Sequence, residues 1–314
     1  MPEPRLGVVG ATGAVGEVAL ALLAERGFEN VRAFASARSA GTRVSFGDGE
    51  LKVEEATPEA LGAGLDVCFF SVGTAASKEL VPAAAGGGAV CVDKSSAFRL
   101  TEGVPLVVPE VNGERALEHD GIVANPNCST IQLVCLLKPL HQAAGLQSVR
   151  VSTYQSASGA GLASMDRLRA MAPADGNVAM DDWEFEGDES DEELKLRAET
   201  RKILDLPELP FSATCARVPV LVGHSQAIWV KTEKPLTPAQ AREVLERAPS
   251  VRVAERPTAK EAVGGDEVLV GRIREDTAGG GLVLWGVCDN LRKGAALNAI
   301  QIAELLLARQ ALAA

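Results

Sequence analysis

Along the first 125 positions, apolar residues come in short, nearly continuous runs, at 6–9, 31–35, 65–70, 89–92 and 121–124, broken only by Arg32 and Asp66, with helix-like stretches between several of them. A strand with one wet face alternates apolar and polar side chains, whereas an unbroken run belongs to a strand covered on both faces. Such strands alternating with helices predict a parallel, doubly wound sheet. After about residue 148 the pattern changes. The runs at 148–154, 212–218, 226–232, 268–273 and 282–287 are longer and more mixed, and fewer helices separate them. They predict a second domain of α+β type with a mostly antiparallel mixed sheet. A last helix over 295–311 is apolar on one face and is expected to return to the first domain. The fold class is therefore α/β, a Rossmann-type N-terminal domain followed by an α+β domain. No internal repeat is visible.

Composition narrows the picture. The chain has 314 residues, 46% hydrophobic and 23% charged, enough for two domains with separate cores. No apolar run approaches the roughly 20 residues that span a bilayer, and Met1-Pro2-Glu3-Pro4-Arg5 does not read as a secretory leader. A formal net charge of −11 argues against nucleic acid or an anionic membrane as partner. The run 181–193 holds nine acids and no base and reads as a solvated surface segment. Six cysteines without a CxxC pair, and three histidines, argue against a metal site. Four of the cysteines lie in apolar runs, as in Val67-Cys68-Phe69-Phe70, and read as buried, reduced thiols of a cytoplasmic protein.

Two places carry chemistry. The first run meets Gly10-Ala11-Thr12-Gly13-Ala14-Val15-Gly16, and a helical pattern follows. Strand, glycine-rich turn and helix form a dinucleotide cradle, in which backbone amides and a helix N-terminus meet a pyrophosphate. The spacing is GxxGxxG and a purely structural turn is the alternative. The second run ends in Ser36-Ala37-Arg38-Ser39, without the acid that would bind the ribose hydroxyls of NAD. Hydroxyls and a cation suit the 2′-phosphate of NADP; otherwise Arg38 is a surface arginine. The second place is Asn125-Pro126-Asn127-Cys128-Ser129-Thr130, between an apolar strand and a helix predicted over 131–140. A cysteine at a helix start gains thiolate character from the free amides and the dipole. The alternative is one more buried cysteine. His224, ahead of a strand, is the candidate acid/base, with a packed histidine as its alternative, while His119 and His141 read as surface residues.

In chain order, the glycine turn, Ser36-Ala37-Arg38-Ser39-Ala40-Gly41, Pro126-Asn127-Cys128-Ser129-Thr130, Tyr154-Gln155-Ser156-Ala157-Ser158-Gly159, Gly271-Arg272-Ile273-Arg274 and Asp289-Asn290-Leu291-Arg292-Lys293-Gly294-Ala295-Ala296 resemble aspartate-semialdehyde dehydrogenases, most of all a Gram-positive-like bacterial branch. The resemblance runs from Arg5 to about Ala308. It implies an NADP-binding domain over 1–128 plus 291–314 and a catalytic and dimerisation domain over 129–290. It implies reversible, NADPH-dependent reduction of aspartyl 4-phosphate to aspartate 4-semialdehyde and phosphate, in lysine, threonine and methionine biosynthesis, by a homodimer or homotetramer. By the same resemblance Cys128 is the nucleophile, His224 the acid/base, and Gln155 orients the thiohemiacetal and thioester. Arg217 takes the substrate carboxylate, Glu199 its amino group, and Arg99 and Lys202 phosphate, with Asn127 also on the substrate. Gly10, Thr12, Gly13, Ala14, Val15, Ser36, Arg38, Ser39, Ser71 and Gly73 fall to the cofactor, with Ser158, Gly159 and Asn290 near its nicotinamide end. Glu199 and Lys202 are three apart on a predicted helix, so they share a face, and Ser190 with Glu193 would open that helix as a capping box. The chain departs from the family in its short, acidic segment 165–189 and in Lys94, where relatives usually carry asparagine. N-acetyl-glutamyl-phosphate reductase shares the fold and chemistry, but Glu199 and Arg217 speak for a free amino acid. A non-catalytic NADP-binding redox sensor is the other alternative.

Overall fold

The structure, a computed structural model, describes residues 3–62, 64–171 and 183–313. The chain forms two compact units, Met1–Pro126 with Ala295–Ala314, and Asn127–Gly294. Expected residues 172–182 lie outside the described part, including Asp181 and Asp182 of the acidic run.

The first unit is built on seven strands: β1 Leu6–Val9, β2 Val31–Ala35, β3 Arg43–Phe46, β4 Gly49–Glu55, β5 Val67–Phe70, β6 Val90–Asp93 and β7 Ile122–Ala124. Their order is β3-β4-β2-β1-β5-β6-β7, parallel except for β3, which is antiparallel to β4. β1 and β5 are buried at every position, as their unbroken apolar runs require. Helix α1, Ala14–Glu25, and the C-terminal helix Leu297–Ala313 close one face; Leu20, Leu23, Ile300 and Ala303 pack there with Leu6 and Val8. Helix Thr74–Gly86 covers the other, where Leu80, Val81 and Ala84 meet Val9, Phe34 and Phe70. The β3–β4 hairpin was not expected from the pattern. Its strands are half exposed at the sheet edge, so they lack the apolar signature of the central strands.

The second unit carries a six-stranded sheet of β8 Leu146–Gln155, β11 Phe211–Arg217, β12 His224–Thr232, β13 Val251–Val253, β14 Val268–Glu275 and β15 Leu282–Cys288; a two-residue pair, β9 Phe185–Glu186 and β10 Glu189–Ser190, stands apart. The order is β11-β8-β12-β15-β14-β13. The three inner pairings are antiparallel and the two edge pairings parallel. A long helix, Cys128–Ala144, lies on one face. Gly286 leaves room for it, since a Cβ there would stand 2.8 Å from Leu136 Cδ1. The other face carries Arg150, Ser152, Tyr154, Ala227, Trp229 and Trp285, none of them buried. Among the described residues no helix is long and apolar enough to cross a membrane.

The acidic run does not behave as one solvated segment. Glu192 and Glu193 are buried because helix Asp191–Leu204 turns them toward donors. Glu193 Oε1 accepts from the Cys215 N–H and Oε2 from the Ser190 N–H, and the Ser190–Glu193 capping box is present. His119 and His141 are half buried rather than on the surface. Each accepts a backbone N–H on Nδ1, from Gly121 and Leu146.

Candidate active site

Strand register builds the site in the second unit. Arg217 ends β11 opposite Gln155, the last residue of β8. One step beyond the pairing of Ser225 with Tyr154 on β12, His224 falls opposite Gln155 as well. The pleat sends side chains of one parity to one face. Arg217, Gln155 and His224 therefore form a row on the face covered by helix Cys128–Ala144. Cys128 is the first residue of that helix. Its Sγ stands 3.2 Å from His224 Nε2, and Gln226 on β12 donates to the Ser129 carbonyl at 2.8 Å, fixing the first turn to the strand.

His224 is fully buried. The Ser156 N–H points at its Nδ1 at 3.1 Å. A ring nitrogen that accepts a backbone N–H cannot itself carry a proton, so the neutral imidazole holds its proton on Nε2, toward the sulfur. Ser156 is held in turn: its hydroxyl donates to Asn290 Oδ1 at 3.0 Å, and that oxygen also accepts from the Gly223 N–H at 2.8 Å. Asn290 thus ties together the two turns that carry the histidine and its orienting serine. Gly159 closes over them. A Cβ there would lie 2.9 Å from an Arg217 guanidinium nitrogen and 3.1 Å from His224 Nε2. Arg217 donates to the Ser156 carbonyl at 3.0 Å and stacks on Trp183, 4.8 Å from the ring centroid.

Of the six cysteines Cys128 is partly exposed and the other five are buried. Burial pushes the Cys91 and Cys215 thiols up to about 12 and raises Cys68 and Cys288 as well. These four are inert at neutral pH.

Helix Asp191–Leu204 brings carboxylates to the residue before Cys128. The Asn127 N–H donates to Glu199 Oε2 at 2.7 Å, and the Asn127 side-chain amide donates to Glu192 Oε1 at 2.9 Å. Glu199 is almost wholly buried and Lys202, on the next turn, is half buried. Sequence reasoning missed Glu192, Ser156 and Trp183. A seven-residue spacing from Glu199, two helical turns, was the available signal for Glu192.

In the first unit the loops after β1, β2 and β5 share the carboxyl edge of the sheet. The Gly10 N–H donates to Phe34 O and the Ser71 N–H to Val9 O. Gly10 has φ +87° and a Cβ there would fall 2.3 Å from Ser71 O; at Gly16 it would fall 2.1 Å from Gly10 O. Only glycine fits at either position, and α1 begins after Gly13 without a side-chain cap. That leaves its first amides for an anion, so Gly10, Thr12, Gly13, Ala14, Val15, Ser71 and Gly73 fit a dinucleotide's phosphates. Ser36, Arg38 and Ser39 follow β2, with Arg38 exposed. Arg99 is buried, and donates to the carbonyls of Asn125 and Lys94.

Residues 5–119 match the family model described as the NAD binding domain of semialdehyde dehydrogenases, and 137–293 the one described as their dimerisation domain. The aspartate-semialdehyde dehydrogenase of Corynebacterium melassecola is 46% identical, over 96% of this chain and 98% of its own. The chain belongs to the aspartate-semialdehyde dehydrogenase family. Among solved structures, aspartate semialdehyde dehydrogenase II of Vibrio cholerae, described as complexed with ASA, superposes with a TM-score of 0.91 at 38% identity, covering 98% of this chain and 99% of that one. The Candida albicans enzyme, described as carrying NADP, gives 0.78 at 26% identity over 98% and 99%. The family is one of oxidoreductases, and its reaction interconverts aspartyl 4-phosphate and aspartate 4-semialdehyde in amino-acid biosynthesis.

Proposed function

We propose that this chain carries out the family reaction through Cys128 and His224, with NADP as its preferred dinucleotide. The observation that carries the reading is the 3.2 Å approach of Cys128 Sγ, at a helix start, to a histidine nitrogen whose proton faces it. In the biosynthetic direction the Cys128 thiolate attacks the acyl carbon, the carbon–oxygen bond to phosphate breaks, and a thioester forms. The nicotinamide supplies hydride to that carbon. His224 Nε2–H steadies the resulting thiohemiacetal oxygen, and the carbon–sulfur bond then breaks to release the aldehyde and the thiolate. In reverse, the thiolate adds to the aldehyde carbon, Nε2–H donates a hydrogen bond to the oxyanion that forms, and the oxyanion collapses to the thioester carbonyl as hydride departs.

Arg217 suits the substrate carboxylate by its planar, bidentate donors. Gln155 and Asn127 flank the reacting carbon, and Glu199 is assigned to the amino group. Arg99 and Lys202 are the cations assigned to phosphate, where arginine gives the firmer grip. Ser158, Gly159 and Asn290 are assigned to the nicotinamide end. Ser36, Arg38 and Ser39, with no acid among them, support the 2′-phosphate. The exposed sheet face bearing Tyr154, Trp229 and Trp285 supports a homodimer, and a tetramer could build on it. The domain limits 1–128 with 291–314, and 129–290, and a cytoplasmic location complete the reading. The test is reduction of NADP by the purified chain with aspartate semialdehyde and phosphate. Wild type should turn over, and Cys128→Ala should not, while still binding NADP; near-normal turnover by the variant would remove Cys128 from the mechanism.

A further inference from the structure

Glu192 lies in none of the roles above, yet one of its oxygens meets two residues of the site. Oε1 accepts from Gln155 Nε2 at 2.8 Å and from Asn127 Nδ2 at 2.9 Å. The residue is buried, and a buried carboxylate is tolerated where charge-assisted donors meet it. Gln155 Nε2 also donates to Thr153 Oγ1 at 3.3 Å. An amide nitrogen has two hydrogens, and Glu192 and Thr153 use both. Turning the amide over would bring its oxygen to within hydrogen-bond distance of a carboxylate oxygen, acceptor against acceptor. The same logic fixes Asn127, whose Oδ1 accepts from the Ser129 N–H at 2.8 Å and caps the nucleophile's helix. A single carboxylate oxygen therefore decides which way two amides face.

We propose that Glu192 is a positioning residue for the thioester chemistry: it holds Asn127 and Gln155 so that the nucleophile's helix start is pinned and Gln155 offers a bound substrate its carbonyl oxygen alone. This rests on the assignment of Cys128 and Gln155 to the site. Its consequence is chemical. Gln155 accepts a hydrogen from the substrate's amino group or from the thiohemiacetal hydroxyl, and does not donate to the oxyanion. That duty falls to His224 Nε2–H.

The test is kcat per reactive thiol, with Cys128 counted by stoichiometric alkylation, which corrects for misfolded protein. Misplacement near the reacting atoms can cost about 10²-fold, and Glu192→Ala should lose on that order with an unchanged KM for NADP. The isosteric Glu192→Gln should lose less, because its carbonyl still accepts from one amide. In a Gln155→Ala background, Glu192→Ala should cost only about threefold more, since residues acting through one another are not additive. An unchanged kcat per thiol in both Glu192 variants, with only Tm lowered, would overturn the proposal. So would the same loss with and without Gln155. Cys128→Ala is measured alongside: if it keeps turnover, the nucleophile assignment has failed, whereas a dead Cys128→Ala beside intact Glu192 variants sinks only the positioning role.

Discussion

At position 224 the chemistry depends on which ring nitrogen carries the proton, and the Ser156 N–H answers it by occupying Nδ1. His224→Asn removes the Nε2 donor, and general acid–base help is worth about 10²–10⁴-fold. The variant's kcat should fall in that range with a modest change in KM for the aldehyde; an intact kcat would exclude the role. Arg38 offers the second test at this scale. A lost ionic hydrogen bond to a phosphate should raise the KM for NADP by about tenfold or more, and NAD kinetics should stay put. Equal losses for both cofactors would mean that Arg38 does not read the 2′-phosphate. The helix start at Cys128 was legible because its signal is local, a polar strand-to-helix turn. Histidine identity was half legible. All three histidines accept a backbone N–H on Nδ1, and only one also meets a sulfur.

Helix Asp191–Leu204 shows how an element can read one way in sequence and pack another way. Its first turn is Asp191, Glu192 and Glu193, which suits the positive end of the dipole and looks solvated. Its position puts Glu192, Glu193 and Glu199 inward, each with a backbone or amide donor. The start of the helix is set by Ser190, whose side chain accepts from the Glu193 N–H. Ser190→Ala should cost about 1 kcal/mol of stability, read as a lower urea midpoint. Because this end carries Glu192, kcat should fall as well. A midpoint equal to wild type would mean that the cap adds nothing to the fold. The central strands were legible to within a few residues, since burial on both faces leaves an unbroken apolar run. The β3–β4 hairpin and the short strand β13 were not, because edge strands share their polarity with loops.

For the whole molecule, association is the property that one chain cannot display. The open sheet face sets Tyr154 against Trp285, with ring centroids 5.5 Å apart, and has Trp229 half exposed nearby. Burying such aromatics is a strong drive to pair. Trp229→Glu should therefore give a monomer by light scattering at concentrations where wild type is a dimer; a dimer in both would move the interface elsewhere. Sequence alone determined the two sheet types, the glycine turn ahead of α1 and the helix that starts at Cys128. Each of these follows from side-chain periodicity or from neighbours a few residues apart. Tertiary structure alone decided that His224, 96 residues from Cys128, is its partner, that Asn290 secures both turns around it, and that Glu192 points inward. Those outcomes rest on strand register and on donors brought from distant parts of the chain. A buried glutamate and a solvated one are spelled alike until the fold supplies the N–H groups that meet it.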